Sequence, residues 1–355
     1  MKTVRVDLGA RSYDIVIGAG ALAELGRLRA KRTLPVMDST VKALHGAKIL
    51  AALGCSPDEF CTFPAGECSK TPETAIEICR CAARLKFDRS CRFAAAGGGV
   101  TGDLTGFAAA VFMRGIEFIQ IPTTLLAAVD SGVGGKTGAD IPEGKNLVGA
   151  FHQPAGVFID TRLLTTLPVP ELGNGLAEIV KTAVILDPEL FELLENSADR
   201  LVSAPDFEEL YPEIIRRCCE LKGMIVSEDE KESGRRAVLN YGHTFGHAVE
   251  LLSNYTLPHG QAVAIGMAAA SRLAVLRGLW TQSDADRQNR LLSRLGLPVK
   301  VPPRCRTCDL VNAMRADKKN VGGAIRVVLC SAVGTSRLPE AADEKELTAA
   351  WEMCR

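Results

Sequence analysis

Between Leu34 and Asp160 the chain repeats one pattern: a short apolar or small-residue run, then a glycine, proline or threonine turn, then a stretch with helical spacing. The runs are residues 34–37, 60–63, 93–97, 116–121 and 156–160. Parallel strands cannot be joined by a tight turn and need a crossover, usually a helix. Strand–helix alternation of this kind therefore predicts an α/β region with a parallel sheet, helices on both faces and ligands at the carboxyl edge of the strands. A hairpin of residues 4–8 and 13–17 and a helix over 21–30 precede it.

The junctions of this pattern carry the chemistry. Phe93-Ala-Ala-Ala-Gly97-Gly98-Gly99 leads from a strand into a helix that keeps Gly102 and Gly106. Three consecutive glycines let backbone N–H groups approach a pyrophosphate, and the helix start adds a favourable dipole. Gly18-Ala-Gly20-Ala-Leu-Ala23 is a rival that matches the dinucleotide fingerprint loosely. Asp38 ends a buried strand, where it suits a ribose hydroxyl. Glu67 and Lys70 lie on the loop before a helix that starts at Thr71-Pro72, with threonine as cap and proline in the first turn. After Pro122-Thr123-Thr124 a glycine-dense stretch places Asp130, Lys136, Lys145 and Asn146 on irregular backbone, and such loops at sheet edges carry function more often than packing.

At Thr166-Leu-Pro168-Val-Pro170 the composition changes. The remainder is mainly helical, over about 171–186, 188–200, 206–226, 236–253, 260–278 and 283–295, with a late strand at 325–329. This predicts two domains, 1–169 and 170–355. Glu178 and Lys181 share a helix face as an i,i+3 pair. Three of the five histidines fall within 239–261. His243 and His247 lie four apart on one predicted helix, and His259 follows a loop, so the cluster suits a divalent metal or acid/base work. The spacing leaves open which of the three would bind an ion. The zinc-protease pattern is excluded, because Thr244 stands where it needs glutamate.

Acidic and basic residues balance at 42 each, so no bulk field favours nucleic acid or an anionic membrane. No apolar run approaches the roughly 18 to 20 residues of a membrane span, and the N-terminus lacks a signal-peptide pattern. The expected compartment is the cytoplasm, where the twelve cysteines would be reduced thiols. Cys305 and Cys308 form a single C-x-x-C, too little for zinc without a second pair. The charge run 228–232 is expected to be a solvated loop.

Taken together, several motifs resemble the 3-dehydroquinate synthase family. They are Gly97-Gly-Gly-Val-Thr-Gly-Asp103-Leu-Thr-Gly-Phe, Met-Arg114-Gly, Ile-Pro-Thr-Thr124-Leu-Leu-Ala, Val-Asp130-Ser-Gly-Val-Gly-Gly-Lys136, Gly-Lys145-Asn146, Ala-Glu178-Ile-Val-Lys181 and Leu-Asn240-Tyr-Gly-His-Thr-Phe-Gly-His247. They run colinearly from about Asp38 to Asp317-Lys318-Lys319. The resemblance implies an N-terminal nucleotide-binding α/β domain and a mainly helical C-terminal domain, with the active site between them. The implied reaction turns 3-deoxy-D-arabino-heptulosonate 7-phosphate into 3-dehydroquinate and phosphate, by transient oxidation with NAD, elimination, reduction and aldol closure.

The same resemblance distributes the residues. Zinc or cobalt would be held by Glu178, His243 and His259. NAD would lie over Gly98, Gly99 and Asp103, with Asp38, Glu67, Lys70, Thr123, Thr124, Lys136, Lys145, Thr166 and Leu167 around it. Substrate would be bound by Arg114, Lys136, Asn146, Lys222, Arg236, Asn240, His247 and Lys318, and Asp130, Lys136, Lys181, Glu232, Asn240 and His247 would be catalytic. A leaving phosphate needs cations and donors about it. Arg114 comes from the neighbouring subunit in this family, which implies a homodimer. The chain departs from the family at Gln261, where glutamate is usual, and at Thr40, where asparagine is common. Within the same superfamily, another sugar phosphate cyclase or a metal-dependent polyol dehydrogenase is the alternative.

Overall fold

The computed structural model of the chain describes residues 1–28, 30–315 and 324–355. Its N-terminal part contains β1 (Lys2–Val6), β2 (Tyr13–Ile17), β3 (Thr33–Asp38), β4 (Cys61–Phe63), β5 (Arg92–Gly97), β6 (Glu117–Pro122), β7 (Lys136–Ile141), β8 (Gly144–Phe151) and β9 (Gly156–Ile159). Helices α1 (Ser39–Leu53), α2 (Pro72–Arg84) and α3 (Gly99–Val111) connect them. Among the described residues, seven strands form one sheet in the order β1-β2-β9-β6-β5-β3-β4. The β1–β2 pair is antiparallel, and from β2 onward each pairing is parallel.

Strand alternation explains why helices cover both faces. Leu34, Val36, Phe93 and Phe118 enter one buried cluster with Leu104 and Ile78. Their chain neighbours Met37, Ala94, Ala96, Ile119 and Ile121 enter the other, with Val41 and Ile49 of α1. Fully burying a side chain of this size stabilises by roughly 1.5–3 kcal/mol, so the central strands have little tolerance for polar replacement. The helix starts are set locally. Asp38 accepts from the Thr40 and Val41 N–H groups, and Thr71 accepts from Thr74 ahead of Pro72. α3 begins at Gly98 without a side-chain cap.

After β9 come α4 (Val169–Leu186) and α5 (Pro188–Ser203), then α6 (Leu210–Glu228), α7 (His243–Leu252), α8 (His259–Leu276) and α9 (Gln282–Arg294). The chain ends with α10 (Thr307–Arg315), α11 (Glu344–Glu352) and four short strands. It divides into two compact units, Met1–Leu167 with Phe207–Ser227, and Pro168–Asp206 with Glu228–Arg355. The change of unit falls at Leu167–Pro168, and nearly all of α6 returns to the first unit. Gly223 of α6 shows how closely: a Cβ there would come within 3.3 Å of Val6 in β1.

Three predicted elements differ in kind. Where a helix is expected over 21–30, Ala21–Arg27 forms a 3-10 helix. Much of the stretch expected to be irregular is an antiparallel hairpin, with Lys136 opposite Phe151 and Ala139 opposite Val148. The helix expected over 236–253 is interrupted: a 3-10 turn, Arg235–Asn240, ends before Gly242, whose φ of 76° stops one helix and sets the direction of the next. No helix among the described residues is long and apolar enough to cross a membrane. All twelve cysteines are free thiols.

Candidate active site

In the second unit Glu178, His243 and His259 each present one ligand atom, and these atoms lie within 4.8 Å of one another. Glu178 comes from the middle of α4, and the histidines open α7 and α8. Glycine makes that convergence possible. A Cβ on Gly266 would sit 2.0 Å from the carbonyl oxygen of Gly242, and one on Gly246 would sit 3.0 Å from that of Ala262. α7 and α8 thus meet backbone to backbone, and the His243 and His259 rings stand 5.5 Å apart.

The donor set fits a divalent cation. Nε2 of His243 is 3.5 Å from Glu178 Oε1, and Nε2 of His259 is 3.4 Å from the same oxygen. Each ring turns its other nitrogen to an acceptor: His243 Nδ1 lies 3.2 Å from the Tyr241 carbonyl and His259 Nδ1 lies 3.0 Å from Glu250 Oε1. Ligating histidines commonly donate their second N–H to a carbonyl or carboxylate in this way, which aims the remaining lone pair at the ion. Burial alone would disfavour a charged His259, yet hydrogen bonding to Glu178 and Glu250 outweighs it and pushes the imidazole up to about 10.

Other predicted residues gather in the same unit. Lys181 forms an ion pair with Glu178, and both side chains are buried, so this is no solvated surface pair. Asn240 donates to Glu232 Oε1 at 2.8 Å and to the Ala237 carbonyl at 3.1 Å. His247 lies one turn past His243 with its ring edge-on, 5.6 Å away. Arg236 is buried to 1% exposure, and its position depends on Asp229, within the charge run 228–232. Asp229 accepts from the N–H groups of Ser233, Gly234 and Arg236. Burial pushes the Asp229 carboxyl up, but those N–H donors together with the Ser233 hydroxyl outweigh it and hold the carboxyl down at about 2. The signal in sequence was Asp229 itself, five residues before Gly234, an acceptor placed to close a turn.

In the first unit the carboxyl ends of β3, β5 and β6 carry the second group. Asp38 sits at the end of β3, capping α1 and accepting from Thr101 at 3.3 Å. Thr123 donates its N–H to Gly97. A Cβ on Gly98 would come within 3.0 Å of Thr124, and one on Gly97 within 2.3 Å of Thr101, so side chains cannot be added without moving the turn. Lys70 is buried, 2.6 Å from Asp103 and 2.6 Å from Asn146 Oδ1. Burial pushes the Asp103 carboxyl up. At Lys70 that neighbouring carboxylate outweighs burial and holds the ammonium above its ordinary value. Lys145 pairs with Glu67 at 3.3 Å on the exposed side. Asp130 lies in a π-helical turn, Ala127–Ser131, and binds Lys222 of α6. Such turns frequently mark functional sites.

The profile of the 3-dehydroquinate synthase N-terminal domain matches residues 60–174, and that of the C-terminal domain matches residues 175–320. A 3-dehydroquinate synthase from Synechococcus sp. is 47% identical over 344 residues, covering 93% of each chain. One from Pelobacter propionicus is 44% identical over 356 residues, covering 98% of each. The chain belongs to the 3-dehydroquinate synthase family. The family's activity is that of a phosphorus–oxygen lyase. Among solved structures, a 2-deoxy-scyllo-inosose synthase complexed with carbaglucose-6-phosphate, NAD+ and Co2+ superposes with a TM-score of 0.91 at 28% identity over the full length of both chains. A 2-epi-5-epi-valiolone synthase from Streptomyces hygroscopicus with NAD+ and Zn2+ bound gives 0.87 at 32% identity, covering 96% of each.

Lys136 opens β7 and is exposed. Arg114 ends a 3-10 turn, Phe112–Arg114, that buries Phe112 and exposes Met113 and Arg114, both of which have positive φ, 50° and 67°. Thr166 bonds His45 at 2.9 Å, and Leu167 ends the first of the two segments that make up the first unit. Thr40 lends its N–H to Asp38, and Gln261 is half-buried in the first turn of α8. Lys318 lies outside the described residues. The rival glycine loop is occupied: the Gly20 N–H donates to Asp160, which also binds Arg162, leaving that donor committed within the fold.

Proposed function

We propose that this chain catalyses the 3-dehydroquinate synthase reaction, with the roles set out below. The observation that carries it is the Glu178–His243–His259 cluster with both imidazoles oriented by outer acceptors, in a chain whose relatives at 44–47% identity bear that name. A zinc or cobalt ion held there would polarise a substrate hydroxyl or ketone as a Lewis acid. NAD would supply the hydride acceptor and later donor. Gly98 and Gly99 leave backbone N–H groups open to a pyrophosphate, with Asp38, Asp103, Glu67, Lys70, Thr123, Thr124, Lys145, Thr166 and Leu167 around the nucleotide.

For the substrate, Arg236 and Lys222 bind the carboxylate. Lys136, Asn240, His247 and Lys318 bind the phosphate, where fixed donors stabilise the charge that develops as it leaves. Asn146 also serves the substrate. Glu232 keeps the Asn240 amide in place through the hydrogen bond described above. Lys181 balances the Glu178 carboxylate, and Asp130 holds Lys222. Supplying the seven-carbon keto-acid phosphate with a trace of NAD tests the reading. Release of phosphate without net NADH is expected; stoichiometric NADH would identify a dehydrogenase instead.

The working form is a homodimer in which Arg114 serves the neighbouring site. Support comes from the strained, exposed turn that carries Arg114, flanked by Val111 and Met113, which are 43% and 40% exposed. Mixing Arg114→Ala with His243→Ala chains should restore part of the activity that each lacks, and light scattering should give twice the chain mass. The compartment is the cytoplasm, to which twelve free thiols are suited.

A further inference from the structure

Of the three proposed ligands, His259 is the most exposed. A third of its side chain, 33%, reaches solvent, against 12% for His243 and 1% for Glu178. It is also the first residue of α8, where no preceding helical turn holds it. An imidazole in such a place can exchange rotamer and tautomer, and either change would misdirect the lone pair needed by an ion. Two buried residues with no part in the proposed substrate chemistry remove both freedoms.

Glu250, on α7, is 7% exposed, and its Oε1 stands 3.0 Å from His259 Nδ1. A carboxylate there accepts Nδ1–H and leaves Nε2 as the donor atom facing Glu178. Asn174, also 7% exposed, lies one turn before Glu178 on α4. Its Oδ1 accepts the N–H of Gly260 at 2.8 Å, while its amide nitrogen donates to Glu171 at 3.2 Å. The neighbouring helices touch at this point, since a Cβ on Gly260 would lie 2.5 Å from Asn174 Cα. One hydrogen bond therefore ties the backbone beside His259 to the helix that supplies Glu178.

We propose that Glu250 and Asn174 are positioning residues for the third metal ligand, Glu250 fixing the His259 ring and Asn174 fixing its backbone. This rests on the metal centre proposed above. Neither residue touches the ion or the substrate on this reading. Their effect should therefore appear in metal binding itself, before any turnover.

Metal-free wild type, Glu250→Ala, Glu250→Gln, Asn174→Ala and Asn174→Asp are titrated with Zn2+ against a chromophoric chelator, and with Co2+ by visible absorption. Wild type should bind one equivalent per chain. Glu250→Ala should weaken binding roughly 10- to 100-fold, the usual effect of losing such an outer partner. Asn174→Ala should weaken it roughly 2- to 10-fold, as for one ordinary hydrogen bond. Glu250→Gln and Asn174→Asp, which keep an acceptor oxygen, should recover most of the loss, and the Co2+ band should shift in the Glu250→Ala protein at saturation. Thermal unfolding of the metal-free proteins separates these effects from general destabilisation. Should Glu250→Ala not fold, histidine 15N spectra of metal-loaded wild type decide: a slowly exchanging Nδ1 proton on His259 is expected, and metal on Nδ1 overturns the proposal. Unchanged affinity and spectra in folded alanine variants also overturn it. If wild type itself binds no equivalent, the metal centre falls and the positioning roles fall with it.

Discussion

Lys222 is fastened twice to Asp130: its ammonium lies 2.5 Å from the carboxylate Oδ1 and 2.7 Å from the main-chain carbonyl of the same residue. The two are 92 positions apart in sequence, and the contact helps to explain why α6 belongs to the first unit. The π-helical turn around Asp130 presents its carbonyl and carboxylate together. A lysine held this way is a fixed charge rather than a mobile surface cation.

Removing that charge should act on substrate binding. A hydrogen bond to a charged group contributes about 1.5–3 kcal/mol, so Lys222→Ala should lower kcat/KM roughly 10- to 100-fold. Most of the change should lie in KM, as for an interaction equally strong in ground and transition states. Asp130→Asn should do less, because the main-chain carbonyl still holds the ammonium. Steady-state kinetics with the keto-acid phosphate measures both, and an unchanged KM in Lys222→Ala would remove Lys222 from the substrate clamp.

Lys70 carries a different expectation, since it is buried with Asp103 and Asn146. Lys70→Met leaves the Asp103 carboxylate without its cation, and breaking a buried pair in this way destabilises by about 3–5 kcal/mol. Denaturant unfolding should show it, together with a raised KM for NAD. The folded value of Lys70 is held above 10.5. Its stabilisation is therefore complete below 10.5 and is lost as the pH rises through the folded value. Wild type should lose stability on that alkaline limb, and Lys70→Met should lose much less.

The sheet was legible because its information is local. The small-residue strand 92–97, the caps Asp38 and Thr71 and the glycine turn after β5 are each set by neighbours in sequence. The return of α6 was not legible, because nothing in the local pattern of 206–226 distinguishes a helix packed on β1 from one packed on α4. The hairpin β7–β8 was hidden for another reason. Glycine at positions 138, 144 and 149 weakens strand propensity, yet a Cβ on Gly149 would lie 2.1 Å from the Thr137 carbonyl, so the close pairing itself requires glycine. At the metal cluster, spacing showed that histidines converge. It could not divide them, because Glu178 joins from another helix 65 positions before His243.

Thiol reactivity offers an independent check on the first unit. The neighbouring Cys61 thiol, with a smaller contribution from Arg84, holds the Cys81 thiol below its ordinary value despite partial burial, while Cys61 is pushed up. Alkylation of Cys81, followed by mass spectrometry, should rise through a midpoint below that of an ordinary thiol, with Cys61 unlabelled across the neutral range. Cys61→Ala should move that midpoint upward, as the thiolate loses its donor. A midpoint unaffected by the substitution would mean that the two sulfurs do not share a proton.

His243 and His247 stand one turn apart on α7 with ring centres separated by 5.6 Å, so they are near enough to be confused and different enough to be told apart. His243 faces Glu178, with Nδ1 turned to the Tyr241 carbonyl; His247 lies outside the cluster of ligand atoms. His243→Ala should lose tight binding of Zn2+ or Co2+, and its activity should not return when the metal is added in modest excess. His247→Ala should bind one metal equivalent as wild type does, while kcat falls by roughly 10²- to 10³-fold, the range for losing one fixed donor to charge that develops in the transition state. Metal stoichiometry and phosphate release measured on the same preparations separate the cases. Loss of metal from both variants would make the helix a single metal-binding face, and full activity in His247→Ala would leave the departing phosphate without that partner.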